Sequence, residues 1–158
     1  MGDRRPVVST YIQGMRWNKA KGVFSQLRRF KNLTPKLKTT LIKTVLIPVL
    51  EYPTIPICMA SETQKRKIQS VLDKAVRFIH CNENQLMNTE QLYVKYHIIP
   101  LNISTYYKAQ KTWETIRTTE KALYEELVTE RYNKHSWFPK SSAIINAPEP
   151  QAIITRRN

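Results

Sequence analysis

Apolar residues recur at helical intervals from Trp17 to Val128, and prolines cut the pattern into pieces. A chain built this way is constrained to a set of separate helices packed side by side. In the first piece, Trp17, Ala20, Phe24 and Leu27 form a stripe flanked by Val23 and Phe30, while Lys21 and Arg28 lie off it. The stretch Asn32-Leu33-Thr34-Pro35 ends that helix and starts the next. Thr34 suits an N-cap, and Pro35 a first helical position, where a missing N–H costs nothing. The second helix carries the i+4 series Leu37, Leu41, Val45 and Val49, with Lys36, Lys38 and Lys43 beside it. Pro48 should kink it, because the ring clashes with the preceding turn. Tyr52-Pro53 and Ile55-Pro56 then predict an extended connector.

Ser61 and Glu62 open the third helix, whose stripe is Ile68, Val71, Leu72, Ala75 and Ile79. On another face Lys67, Ser70, Lys74 and Arg77 recur at i, i+3, i+7 and i+10, aligning three cations along a ridge about 15 Å long. A polar loop over 82–88 leads to a short helix capped by Asn88 or Thr89 and ending near Tyr96-His97. Pro100 and Asn102 precede a fifth helix through Ile103, Tyr106, Tyr107, Trp113 and Ile116. A sixth restarts at Thr118-Thr119-Glu120 and carries Leu123, Tyr124, Leu127 and Val128. From Asn133 onward Pro139, Pro148 and Pro150 oppose regular structure, and no strand pattern is convincing. The expected fold is all-α: an irregular bundle of five or six helices with a frayed N-terminus and a Pro-rich C-terminal tail.

Charge narrows the function. The 158 residues hold 26 Lys and Arg against 12 Asp and Glu, for a net charge of +14. The excess is uneven: residues 1–80 contain 16 basic and 4 acidic side chains, and residues 81–158 contain 10 and 8. A polyanion is the natural partner of such a half-chain, through phosphate neutralisation and release of counterions. The cations that fall in order along helices are Lys21, Arg28, Lys67, Lys74 and Arg77, the expected nucleic-acid contacts. Five phosphate contacts imply a log–log salt slope of roughly −4 to −5.

The residues for independent chemistry are sparse. Only two aspartates are present, Asp3 and Asp73, whereas metal-dependent phosphoryl chemistry gathers several carboxylates. Asp73 sits among Lys74 and Arg77, where a local ion pair is the expected role. Glu125 and Glu126 are adjacent and diverge on a helix. Cys58, Cys81, His80, His97 and His135 match no zinc spacing and no nucleophile–base motif. No catalytic residue, metal or cofactor is therefore expected, and the chain is read as a non-enzyme. Arg4 and Arg5 precede no apolar run, and the stretch from Leu41 to Leu50 is about half a membrane span. The expected setting is intracellular, with no membrane partner, and the cysteines reduced.

The segments "KAKGVFSQLRRFKNLTPKLKTTLIKTVLIPVLEYPTIPI", "QKRKIQSVLDKAVRFIHC" and "LYVKYHIIPLNISTYYKA" resemble, in order and spacing, the region after the palm in non-LTR (LINE-type, jockey-like) retrotransposon reverse transcriptases. The matching positions are Lys19-Ala20 through Leu27, Lys38 through Tyr52 with Pro48, Gln69 through Ile79 with Ala75 and Arg77, and Ile98 to Pro100 with Leu101. They span about half the chain or more. "SWFPKSSAIINAPEPQ" is a weaker match to the end of such a reading frame. The resemblance implies a helical thumb and connector that grips an RNA or RNA–DNA template–primer by its backbone while a palm, with paired aspartates, does the chemistry. It divides the chain into a lead-in (1–16), a basic thumb-like bundle (17–81), a helical connector (82–132) and a tail (133–158).

This sequence departs from the family in holding no paired-aspartate box, in Pro53 replacing a glycine, and in retaining only "MRWN" of an upstream phrase. It is accordingly read as a truncated binding fragment whose parent, not itself, is an RNA-directed DNA polymerase. Without the palm, an apolar patch on the first two helices would be left open to self-association. Two other readings differ in kind. A host-used helical adaptor would bind proteins through Tyr93, Tyr96, Tyr106, Tyr107 and Trp113, and its pulldown would survive nuclease and high salt. A sequence-specific helix-turn-helix protein would use the short Asn32–Pro35 turn, and random DNA would fail to compete for its site.

Overall fold

The computed structural model describes residues 17–52, 60–128 and 143–154, and all regular structure among them is helical. Helix α1 (Trp17–Leu27) tightens into a 3-10 turn over Arg28–Phe30. Helix α2 (Pro35–Leu41) runs through a π-helical segment (Ile42–Leu46) into α3 (Ile47–Glu51). Then follow α4 (Glu62–His80), α5 (Thr89–Lys95), α6 (Leu101–Thr119) and α7 (Lys121–Val128), and a 3-10 turn at Ala143–Ile145. The lead-in, the Pro53–Pro56 connector and residues 129–142 lie outside the described residues.

Helix α4 is the axis of the bundle. A capping box starts it: the Ser61 hydroxyl accepts from the Gln64 N–H, and the Gln64 side chain accepts from the Ser61 N–H. Ile68, Val71, Leu72, Ala75, Val76 and Ile79 are buried along it, in one cluster that reaches from Ala20 and Phe24 on α1 to Leu101 on α6. Phe24 meets Phe78 edge-on, and Trp17 lies by Lys67, so α1 follows α4 in the same direction. The turn after α4 is tied to the end of the first helical unit by Asn82, whose amide donates to the Lys31 carbonyl.

Thr34 caps α2 as expected, accepting from the Leu37 N–H with Pro35 at the first position. The buried face of this helical rod is rotated from the expected one. Leu37 is 51% exposed and Val45 41%, while Lys38, Ile42, Leu46 and Leu50 are buried. Two i+4 series compete here, and the one headed by a lysine wins because Lys38 has a destination. Its ammonium donates to the Phe78 carbonyl at 3.4 Å, near the negative end of α4, and lies 4.7 Å from the Phe78 ring centroid. The rod carries Pro48 through a local widening of the helix. The wider π turn, in which the Ile47 N–H reaches back to Ile42, precedes Pro48, and helix continues to Glu51. Phe30, Leu37 and Val45 are left as exposed apolar side chains on the first two helical units.

A buried polar knot joins α4 to α5 and α6. The Gln69 amide donates to Asp73 Oδ1 at 3.1 Å and contacts Tyr93 Oη at 2.6 Å, and Tyr93 Oη donates to the same Asp73 oxygen at 2.6 Å. Gln69 Oε1 accepts the Leu101 N–H at 2.8 Å, supplying a partner at the start of α6. Asp73 is 1% exposed and serves as a buried acceptor between helices. Residues 143–154 form a strap laid along α6. Asn102 lies in the first turn of α6 rather than ahead of it. Its amide donates to the Gln151 carbonyl at 2.6 Å and its oxygen accepts the Ile153 N–H at 3.1 Å. Tyr106 donates to the Ala147 carbonyl and Tyr107 to Glu149.

Two stability results follow. Lys38→Ala should cost roughly 2–3 kcal/mol, through lost packing and a lost hydrogen bond to the Phe78 carbonyl. Leu37→Ala should cost less than about 1 kcal/mol. Urea denaturation that reverses this order would refute the register. Burial first, then the neighbouring Asp73, pushes the Tyr93 phenol far above its ordinary 10.0. The folded state thus keeps a proton that the unfolded chain releases. Its stabilisation is complete below about pH 10 and falls by about 1.4 kcal/mol per pH unit above it. Denaturant titrations above about pH 10 should show a correspondingly shallower alkaline loss in Tyr93→Phe than in the native chain.

Candidate nucleic-acid interface

The ridge of α4 that carries Lys67, Ser70, Lys74 and Arg77 lies between two neighbours. Helix α1 flanks it on one side, through Trp17 and Phe24, and α5 on the other, through Thr89 and Tyr93. Most of the rest of α4 is turned inward, so this ridge, with Glu62, Thr63 and Arg66 at the start of the helix, is its solvent face. Lys67 and Lys74 are exposed, and among the described residues neither is held in an ion pair.

Helix α1 brings its own cations to the same face. Lys21 Nζ lies 4.2 Å from the Trp17 ring centroid and Lys67 Nζ lies 5.9 Å from it, so one indole gathers a lysine from each helix. Trp17 is half-buried, and its indole nitrogen has no hydrogen-bond partner among the described residues. One turn beyond Phe24, the exposed Arg28 guanidinium lies 5.9 Å from the Phe24 ring. Stacking on rings orients these side chains while leaving their N–H donors available to an anion. Lys21, Arg28, Lys67 and Lys74 therefore share one surface.

Arg77 is placed differently from the other four. Its Nε and Nη2 donate to Thr89 Oγ1 at 3.2 and 3.0 Å, and its side chain is half-buried. It fastens the start of α5 to α4 and stands at the edge of the surface. Residues outside the expected set carry charge at the edge of this surface. Lys65 and Arg66 continue the basic run toward the start of α4; Lys65 lies 3.6 Å from Glu62, and Arg66 is exposed. The run Lys65-Arg66-Lys67 is plain in the sequence, but selecting residues by one helical ridge passes over its first two members.

The remaining chemistry-bearing residues are committed to structure. His80 is buried, with Nδ1 2.8 Å from Tyr96 Oη and Nε2 against the Gln85 carbonyl, so both ring nitrogens hold neighbouring backbone and side chain in place. Cys81 is exposed, with its thiol 3.5 Å from Lys38 Nζ. Glu51 is buried and accepts from Ser104 at 2.8 Å and from Lys108, linking α3 to α6. Among the described residues no three His, Cys, Asp or Glu side chains are placed to hold a metal ion, and no helix is long and apolar enough to cross a membrane. Cys58 and His135 lie outside the described residues. Of the aromatic set considered for protein binding, Tyr93, Tyr96, Tyr106 and Trp113 are buried, and Tyr107 alone is exposed.

No family model, curated protein or solved structure matches the chain.

Proposed function

We propose that the chain binds nucleic acid through its phosphate backbone, using the α1–α4 face, and has no polymerase activity of its own. One observation carries this reading: exposed cations from two helices are gathered on one surface, with Lys21 and Lys67 meeting at Trp17. Scattered basic residues give a diffuse field, but cations ordered by a shared aromatic ring present donors at a fixed spacing along two helices. That is the complement of a regular array of phosphates. No side-chain set for reading base edges stands out on this face, so binding is blind to sequence. The resemblance of the sequence to the thumb and connector of non-LTR reverse transcriptases supports an RNA–DNA hybrid or structured RNA as the ligand. It also places the polymerase chemistry, and its intracellular setting, in a larger parent protein. The adaptor reading loses support, because four of its five aromatic residues are interior.

The test is affinity for a short RNA–DNA hybrid as salt is varied. Four free contacts should give a log–log slope of roughly −3 to −4, and the Lys21→Ala/Lys67→Ala/Lys74→Ala triple variant should bring it to about −1. Arg77→Ala should change the slope less than any one of these and should loosen α5 instead. A triple variant that keeps both affinity and slope would sink the assignment.

A further inference from the structure

On the side of α4 that faces the strap, a groove of about 1120 Å³ opens between the first half of α4, the start of α6 and residues 144–154. Its α4 wall carries Lys65, Arg66 and Lys67 with the hydroxyls of Thr63 and Ser70. Its opposite wall and floor are largely apolar, with Tyr106, Pro148, Pro150 and Ile153 among them. The one acid in the lining, Glu62, is already paired with Lys65. The volume exceeds the usual range for a small-molecule pocket, about 300 to 1,000 Å³, which suits a length of polymer better than a compact ligand. Lys67 belongs both to this wall and to the Trp17 cluster, so the groove is continuous with the α1–α4 face.

We infer that this groove holds a single-stranded extension of the duplex bound on the α1–α4 face, with Arg66 as its main phosphate contact. The inference rests on the nucleic-acid reading above. Charge complementarity favours a polyanion, and continuity through Lys67 favours the same polyanion that occupies the neighbouring face. An apolar wall opposite a cationic one is what an unpaired strand requires, since its bases have faces to bury while its phosphates need cations. A duplex hides those base faces and gains nothing from such a wall. The strap that forms the far side is held by Asn102, which engages Gln151 and Ile153 together. Asn102 is thus a positioning residue for the groove and touches no ligand itself.

The experiment compares a blunt RNA–DNA hybrid with the same hybrid carrying a short single-stranded overhang of either polarity. The native chain should bind one overhang form about tenfold tighter than the blunt form. Arg66→Gln should abolish that gain, and Asn102→Ala should reduce it, while blunt-hybrid affinity falls by less than about threefold in each. Retained blunt binding also shows that both variants are folded. No overhang gain in either polarity, or a gain that survives Arg66→Gln, overturns the groove assignment and leaves the duplex face standing. Equal displacement of the overhang by polyglutamate of the same charge overturns it in favour of an acidic peptide. Failure of the native chain to bind any form overturns both readings.

Discussion

The knot formed by Gln69, Asp73 and Tyr93 is the constraint on which the arrangement depends. A single amide on α4 reaches a carboxylate on its own helix, a phenol on α5 and the first backbone N–H of α6. All three side chains are nearly inaccessible to water, where an unmade hydrogen bond costs more than a made one contributes. α5 and α6 therefore cannot slide along α4 without breaking a buried hydrogen bond. With those two helices fixed on one side and α1 and α2 on others, α4 has one exposed ridge left. That ridge is basic.

The second half of the arrangement is set from the far end of α4. Lys38 is 0% exposed, and a lysine so placed must be given hydrogen bonds or it opposes folding. The Phe78 carbonyl and ring provide for it, and in doing so they turn α2 onto its Lys38–Ile42–Leu46–Leu50 face. A charge that composition alone would count toward the basic surface is spent inside the bundle. Arg77 is another, donating to Thr89. What remains for a ligand is smaller than the net charge suggests and more ordered, since Lys21 and Lys67 converge on a single indole.

How much of this was legible in the sequence depends on what each residue answers to. The stripes of α1 and α4 were readable, because Ala20, Phe24 and Leu27, and Ile68, Leu72, Ala75 and Ile79, have no competing apolar face. The caps at Thr34 and Ser61 were readable for the same local reason, as was the all-α class. The face of α2 was not. Leu37 and Lys38 head rival series, and the choice is made by a carbonyl 40 residues away. The part Asp73 plays between helices was not legible, because one of its hydrogen-bond donors is a tyrosine that packs in from α5. The strap escaped notice because prolines forbid helix and sheet but do not forbid docking, and its docking residue, Asn102, is an unremarkable polar side chain in the sequence. That Lys21 and Lys67 meet at Trp17 was not legible, because helical spacing orders cations along one helix and does not tell which helices lie side by side.

The claim most worth testing is that nucleic acid lies across the α1–α4 face, over Trp17. The indole N–H resonances of Trp17 and Trp113 give a direct readout, because one indole lies among Lys21 and Lys67 and the other is buried beside Tyr124. When the chain is titrated with an RNA–DNA hybrid at low salt, the Trp17 resonance should shift progressively to saturation while that of Trp113 stays in place. Saturating binding with Trp17 unmoved would contradict the account.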